Sequence, residues 1–174
     1  RYVLGGEDRF RVNSDVGLRI GSASKVFGKV RARYTAPFGK WQLMLSETGS
    51  WYSDDGFGEV SEVRLSRDLN GGWLFRSSST CTVEEGQKGV TPQQTFSLVN
   101  EVSEKRAYRL DLYGGWPECP DTTQADYRLT TTYRQLIHSD WLFMEISPGV
   151  SFPQEHGYAV NPLITVLFDT VFGE

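Results

Sequence analysis

The chain has 174 residues, with 18 Lys and Arg against 22 Asp and Glu for a formal charge of −4, and carries no basic run. That length suits a single domain spanning 1–174, the charge pattern offers nothing to nucleic acid, and no stretch of about 20 apolar residues exists to form a membrane-crossing helix. Mean hydropathy is negative, but a chain alternating apolar and polar residues hides its apolar half from any average.

Residues 10–20 set Phe10, Val12, Val16, Leu18 and Ile20 against Arg11, Asn13, Asp15 and Arg19, the period of a strand with two unlike faces. Residues 25–36 repeat the pattern, with Val26, Val30, Ala32 and Tyr34 against Lys29, Arg31 and Arg33, and turn at Pro37-Phe38-Gly39. A third strand, 41–52, passes through Asp54-Asp55-Gly56 to a fourth, 58–67. Asn70-Gly71-Gly72 then makes a strong hairpin signal. The fifth strand covers 73–84, and a polar loop, 85–92, leads to the sixth, 94–103. Glu104-Lys105-Arg106 turns the chain into the seventh, 107–116. After the loop 117–123, the eighth strand is expected over 125–136, a turn at His138-Ser139-Asp140, and the ninth over 141–152. The last strand is expected over 158–172. There Ile164, Val166, Phe168, Thr170 and Phe172 share an apolar face, and Thr165 and Asp169 take the other.

Tight turns near Phe38, Gly71, Lys105 and Ser139 recur at about 34 residues, the spacing of one hairpin, with no helical periodicity that would make it a helical repeat. Each interval is a strand, a longer loop and a returning strand, so tight turns gather at one end of the sheet and longer loops at the other. One face collects Arg11, Asp15, Arg19, Lys29, Arg31, Arg33, Glu59, Glu62, Arg64, Arg76, Glu84, Glu101, Arg109, Asp111, Arg128, Arg134, Glu145 and Asp169. The other is mainly aliphatic and aromatic. Glu47 and Asn100 are exceptions on the apolar face, and a β-bulge near Glu47 would remove the first.

A soluble lipocalin-like barrel would turn the apolar face inward around a ligand, and a membrane barrel would turn it outward. The aromatic residues separate the two. Phe10, Trp41, Trp73, Tyr108, Trp141 and Phe172 mark the tight-turn end of the strands, and Trp51, Trp116, Tyr127, Phe152 and Tyr158 mark the other. Two aromatic belts are what membrane interfaces favour.

The meander, the even strand count, the two belts and the terminal strand ending in Phe172 together resemble the small outer-membrane β-barrel proteins of Gram-negative bacteria. The resemblance covers nearly every residue, although Gly173 and Glu174 follow the Phe where that class usually ends. It implies an all-β, antiparallel, up-and-down transmembrane barrel of about ten strands with short periplasmic turns and longer outer loops. It also implies a bacterial outer-membrane location, lipid and lipopolysaccharide as surroundings, and the barrel-assembly machinery as a partner during insertion. Opening at Arg1 without a secretory leader is the form expected of a processed protein or a fragment.

Chemistry is sparsely signalled. His156 shares the loop end with Asp54 and Asp55, a placement that resembles the omptin proteases, although Gln154 stands where their Asp-x-His element has Asp. Ser53 and Ser151 are the serines an acyltransferase or hydrolase centred on His156 would use. Asp54, Asp55, Glu84 and Glu85 are hard-cation donors by type, but no metal-spaced cluster and no cofactor motif is present. Cys81 and Cys119 are an even pair for a disulfide, with a small apolar strand residue and a loop residue as the plainer reading. The expected function is that of a structural or partner-binding outer-membrane barrel with a lumen plugged by salt bridges. A narrow pore, an outer-rim enzyme using His156 and the soluble barrel are the alternatives.

Overall fold

The structure, a computed structural model, describes residues 2–4, 9–19, 25–53, 56–87, 89–116, 125–138 and 141–170. Their strands are β1 (Tyr2–Leu4), β2 (Arg9–Arg19), β3 (Lys25–Phe38), β4 (Trp41–Tyr52), β5 (Gly56–Asp68) and β6 (Trp73–Glu84). They continue with β7 (Thr91–Ser103), β8 (Arg106–Gly115), β9 (Asp126–His138), β10 (Leu142–Phe152) and β11 (Asn161–Thr170). All eleven form one sheet in sequence order, each strand antiparallel to the next. There is no α-helix among the described residues, only a short 3-10 turn, Gln154–His156.

Ten of these strands match the expected run, and β1 is an addition too short for alternation to reveal. Among the described residues no ladder joins β11 back to β1 or β2, so the sheet is open where a closed barrel was expected. The three residues of β1 cannot offer the ten of β11 a full ladder.

Local chemistry explains the turns. Gly39 takes φ 62 between paired Phe38 and Trp41, the glycine-first two-residue hairpin whose twist suits its strands. Gly71 and Gly72, at φ 77 and 76, carry the next tight connection, where Leu69 N–H donates to the Trp73 carbonyl over 2.6 Å. Opposite these turns the connections are longer, except that Tyr52 pairs with Gly56 across a link as short as a tight turn. The last strand begins three residues later than alternation implied. Gly157 and Tyr158 both sit at φ 62, and the Tyr158 N–H donates to the Pro153 carbonyl over 3.1 Å, so the chain is still turning there.

The two faces are unequally covered. Along β4, Met44, Ser46 and Thr48 are each 8% exposed, while intervening Leu45 is 41% exposed. The residues of low exposure across the sheet are mainly polar, Ser46, Thr48, Ser97 and Asp111 among them. Val16, Phe38, Ile164 and Phe168 stand largely in the open. A flat sheet would expose both faces alike, so the sheet curls with its polar face on the concave side and its apolar face outside. One cavity on the concave side is lined from Arg11 on β2 to Arg76 on β6, a reach that only curvature allows at about 4.8 Å per strand.

Candidate functional site

Strand register decides which charges meet. Arg11 pairs with Arg33, which pairs with Ser46, which pairs with Glu62, and this row fixes the concave parity. By the same ladders Asp15, Lys29, Arg31, Arg64, Arg76, Glu84, Glu101, Arg109, Asp111, Arg128, Arg134, Glu145 and Asp169 share that face. Arg19 has the same parity, but its side chain lies outside the described residues. Glu59 is a correction. It is three residues from Glu62, an odd step in a strand of period two, and it pairs with Gly49 and Val83 on the convex face.

Three knots of charge organise the concave face. The Glu62 carboxylate accepts from Arg64 Nε at 3.0 Å and Nη2 at 2.6 Å, and from Ser78 Oγ at 2.6 Å. Asp111 accepts from Ser97 Oγ at 2.6 Å and from Arg109 Nε at 2.5 Å. Arg134 lies 3.3 Å from Glu145 and 3.0 Å from Asp169, bridging β9, β10 and β11, with its guanidinium 4.3 Å from the centre of the Phe143 ring. Arg31 Nε donates to Thr48 Oγ1 over 3.2 Å, and the Arg128 guanidinium lies 5.0 Å from the Tyr113 ring centre. The contacts are thus mostly within a strand or to near neighbours.

Aromatic rings mark both ends of the strands. Toward the tight turns Trp41 meets Phe75 edge-on at 5.9 Å with the Arg67 guanidinium 5.5 Å from the Trp41 ring centre, and Tyr108 stacks on Tyr133 at 5.0 Å. His138 meets Trp141 edge-on at 5.4 Å. At the other end Phe27 stacks on Tyr52 at 6.0 Å and Tyr127 leans on Tyr158 at 6.2 Å. Trp51 and Trp73 are exposed, Trp116 is partly covered, and Phe172 lies outside the described residues.

The convex face is not uniformly apolar. The ladders around Glu47 run without a register shift, so no bulge removes it, and Glu47 stands diagonal to Glu59 beside Ser61. Toward β7 the polar seam continues through Ser79, which hydrogen-bonds Gln94, and Gln94 Nε2 donates to Ser77 Oγ over 3.0 Å. Asn100 keeps its place on the convex face by register, and its Nδ2 donates to the Gly71 carbonyl over 3.2 Å, which ties it to a tight turn.

No catalytic group assembles around His156 among the described residues. The imidazole is exposed on the 3-10 turn, and Glu155, 3.8 Å from its Nε2, is the carboxylate beside it. Ser53 Oγ accepts from Val26 N–H at 3.2 Å, and Ser151 Oγ donates to the Asn161 carbonyl at 3.4 Å, so both serines close strand ends. Asp54 and Asp55 lie outside the described residues, and Glu85 accepts from Phe57 N–H at 2.8 Å. No group of metal-binding side chains is found among the described residues. Cys81 is exposed on the convex side, and Cys119 lies outside the described residues.

Comparison with protein-family models, with curated proteins and with solved structures returned no match to the chain.

Proposed function

We propose that the chain is an integral β-barrel of the bacterial outer membrane, its sheet closing when the edge at β11 meets the N-terminal edge in lipid. Its role is structural and partner-binding rather than catalytic. The observation that carries this reading is the reversed polarity of the curled sheet, with Ser46, Thr48, Ser97 and Asp111 covered and Ile164, Val16 and Phe168 exposed. In water such an arrangement forfeits most of the apolar burial that drives folding. In lipid it is the stable one, because the outer face meets hydrocarbon and the paired backbone leaves no strand unsatisfied once the edges join.

Aromatic pairs at both strand ends support the same placement, since Trp and Tyr prefer the headgroup level. The ion pairs Arg64–Glu62, Arg109–Asp111 and Arg134–Glu145 support a lumen filled by side chains rather than an open channel. The polar seam of Glu47, Glu59, Ser79 and Gln94 is the part of the convex face least suited to lipid, and we assign it to a protein partner. The test is expression with a secretion leader in a Gram-negative host. Recovery in the outer-membrane fraction, resistance to carbonate extraction and a heat-dependent shift in gel mobility are expected, whereas recovery from the soluble periplasm would overturn the reading.

A further inference from the structure

We propose that a cavity near the tight-turn end of the concave face binds a phosphate group. It has a volume of about 440 Å³ and is lined by Arg11, Arg33, Arg64 and Arg76, with Trp41 and Met44 among its other walls. Arg11 and Arg33 face each other across the β2–β3 ladder, and Arg64 and Arg76 come from β5 and β6, so four strands aim guanidinium groups at one space.

The carboxylates of the three charge knots are already engaged, and Asp68 lines the adjoining cavity toward the tight turns. Glu62 is held by Arg64 and Ser78, Asp111 by Arg109 and Ser97, and Glu145 and Asp169 by Arg134. Among the described residues this leaves Arg11, Arg33 and Arg76 without an ion-pair partner. The Nε of each of the three is also buried and without a hydrogen-bond partner among those residues. A buried donor left unmade is unfavourable, and three like charges around one cavity add repulsion. An anion in the cavity removes both penalties.

Guanidinium forks match tetrahedral oxyanions two bonds at a time. A phosphate group offers several forks their own oxygen pairs and carries close to two negative charges, where a carboxylate offers two oxygens and one charge. The Trp41 and Met44 walls suit the carbon-bearing remainder of a phosphorylated molecule. Access is from the tight turns, because an adjoining cavity of about 410 Å³ shares Arg76 and Trp41 and reaches Lys40.

The phosphate could belong to a soluble compound or to a lipid headgroup, and two arms of one experiment separate them. The full chain in a non-ionic maltoside detergent is titrated with inorganic pyrophosphate by calorimetry, and in parallel with phosphatidic acid read by native mass spectrometry. One-to-one binding is expected in at least one arm, a soluble ligand if pyrophosphate binds and a headgroup if only the lipid does. Arg33→Gln and Arg76→Gln should each weaken it roughly tenfold or more. Arg76→Lys, which keeps the charge and loses the fork, should fall between, and Lys29→Gln at the other end of β3 should change nothing. Circular dichroism confirms the fold of each variant. Absence of binding in both arms, or binding that the arginine variants leave unchanged, overturns the proposal.

Discussion

Arg134 shows how a single side chain ties the C-terminal part of the sheet together. It reaches Glu145 on the neighbouring strand and Asp169 one strand further, with Phe143 beneath it. These groups are partly exposed, so the gain is modest. Arg134→Met should lower stability by about 1 kcal/mol, read from the urea midpoint of the chain in detergent. A larger effect is expected at Gly149, where a Cβ would lie 2.7 Å from the Leu129 carbonyl oxygen, which is backbone and cannot swing away. Gly149→Val should cost about 1–3 kcal/mol in the same measurement by forcing β9 and β10 apart. At this scale the sequence reveals parity, which places Arg33, Glu62 and Asp111 together on one face. It misleads where charge type is followed instead of parity, as at Glu59. It cannot tell that Arg64 finds a carboxylate and Arg76 does not, because that depends on rotamers and on the curvature of five strands.

Among the elements, the hairpins were the most legible part of the chain, since Gly39 and Gly71 stand where two strand periods meet and only a left-handed residue closes the turn. Gly39→Val places a β-branched residue at φ 62 and should slow refolding and lower stability by about 1–2 kcal/mol, measured by unfolding and refolding kinetics. Residues 158–160 read as strand because Tyr158 and Val160 continue the alternation, but the 3-10 turn and two left-handed residues delay β11 to Asn161. The convex face of β3 offers a sharper test of the setting. Val30 is 54% exposed, and in water Val30→Arg would be close to neutral. In a bilayer it should cost about 2–4 kcal/mol, and Glu47→Leu should bring a smaller gain of about 1 kcal/mol in the same lipid vesicles.

For the whole molecule, alternation alone is symmetric between a barrel with an apolar interior and one with an apolar exterior. The curvature of the sheet distinguishes the two faces, since the polar side is the concave one. Sequence cannot supply curvature, which emerges from the twist accumulated over ten strand pairings. Nor could it show the open seam between β11 and the N-terminal edge, because β1 is three residues long and has no pattern to read. Under the proposed membrane reading that seam has to join, as an unpaired strand edge in hydrocarbon leaves backbone groups unsatisfied.

The most direct test of the account is a spin-label accessibility scan of residues 28–36 of β3, in a background where Cys81 and Cys119 are replaced by serine, with the chain reconstituted in lipid vesicles. The convex positions Val30, Ala32 and Tyr34 should collide freely with oxygen and hardly with a water-soluble nickel reagent, and Arg31 and Arg33 should show the reverse, in strict alternation. Equal access of the nickel reagent to Val30, Ala32 and Tyr34 would place the apolar face in water and contradict the membrane barrel.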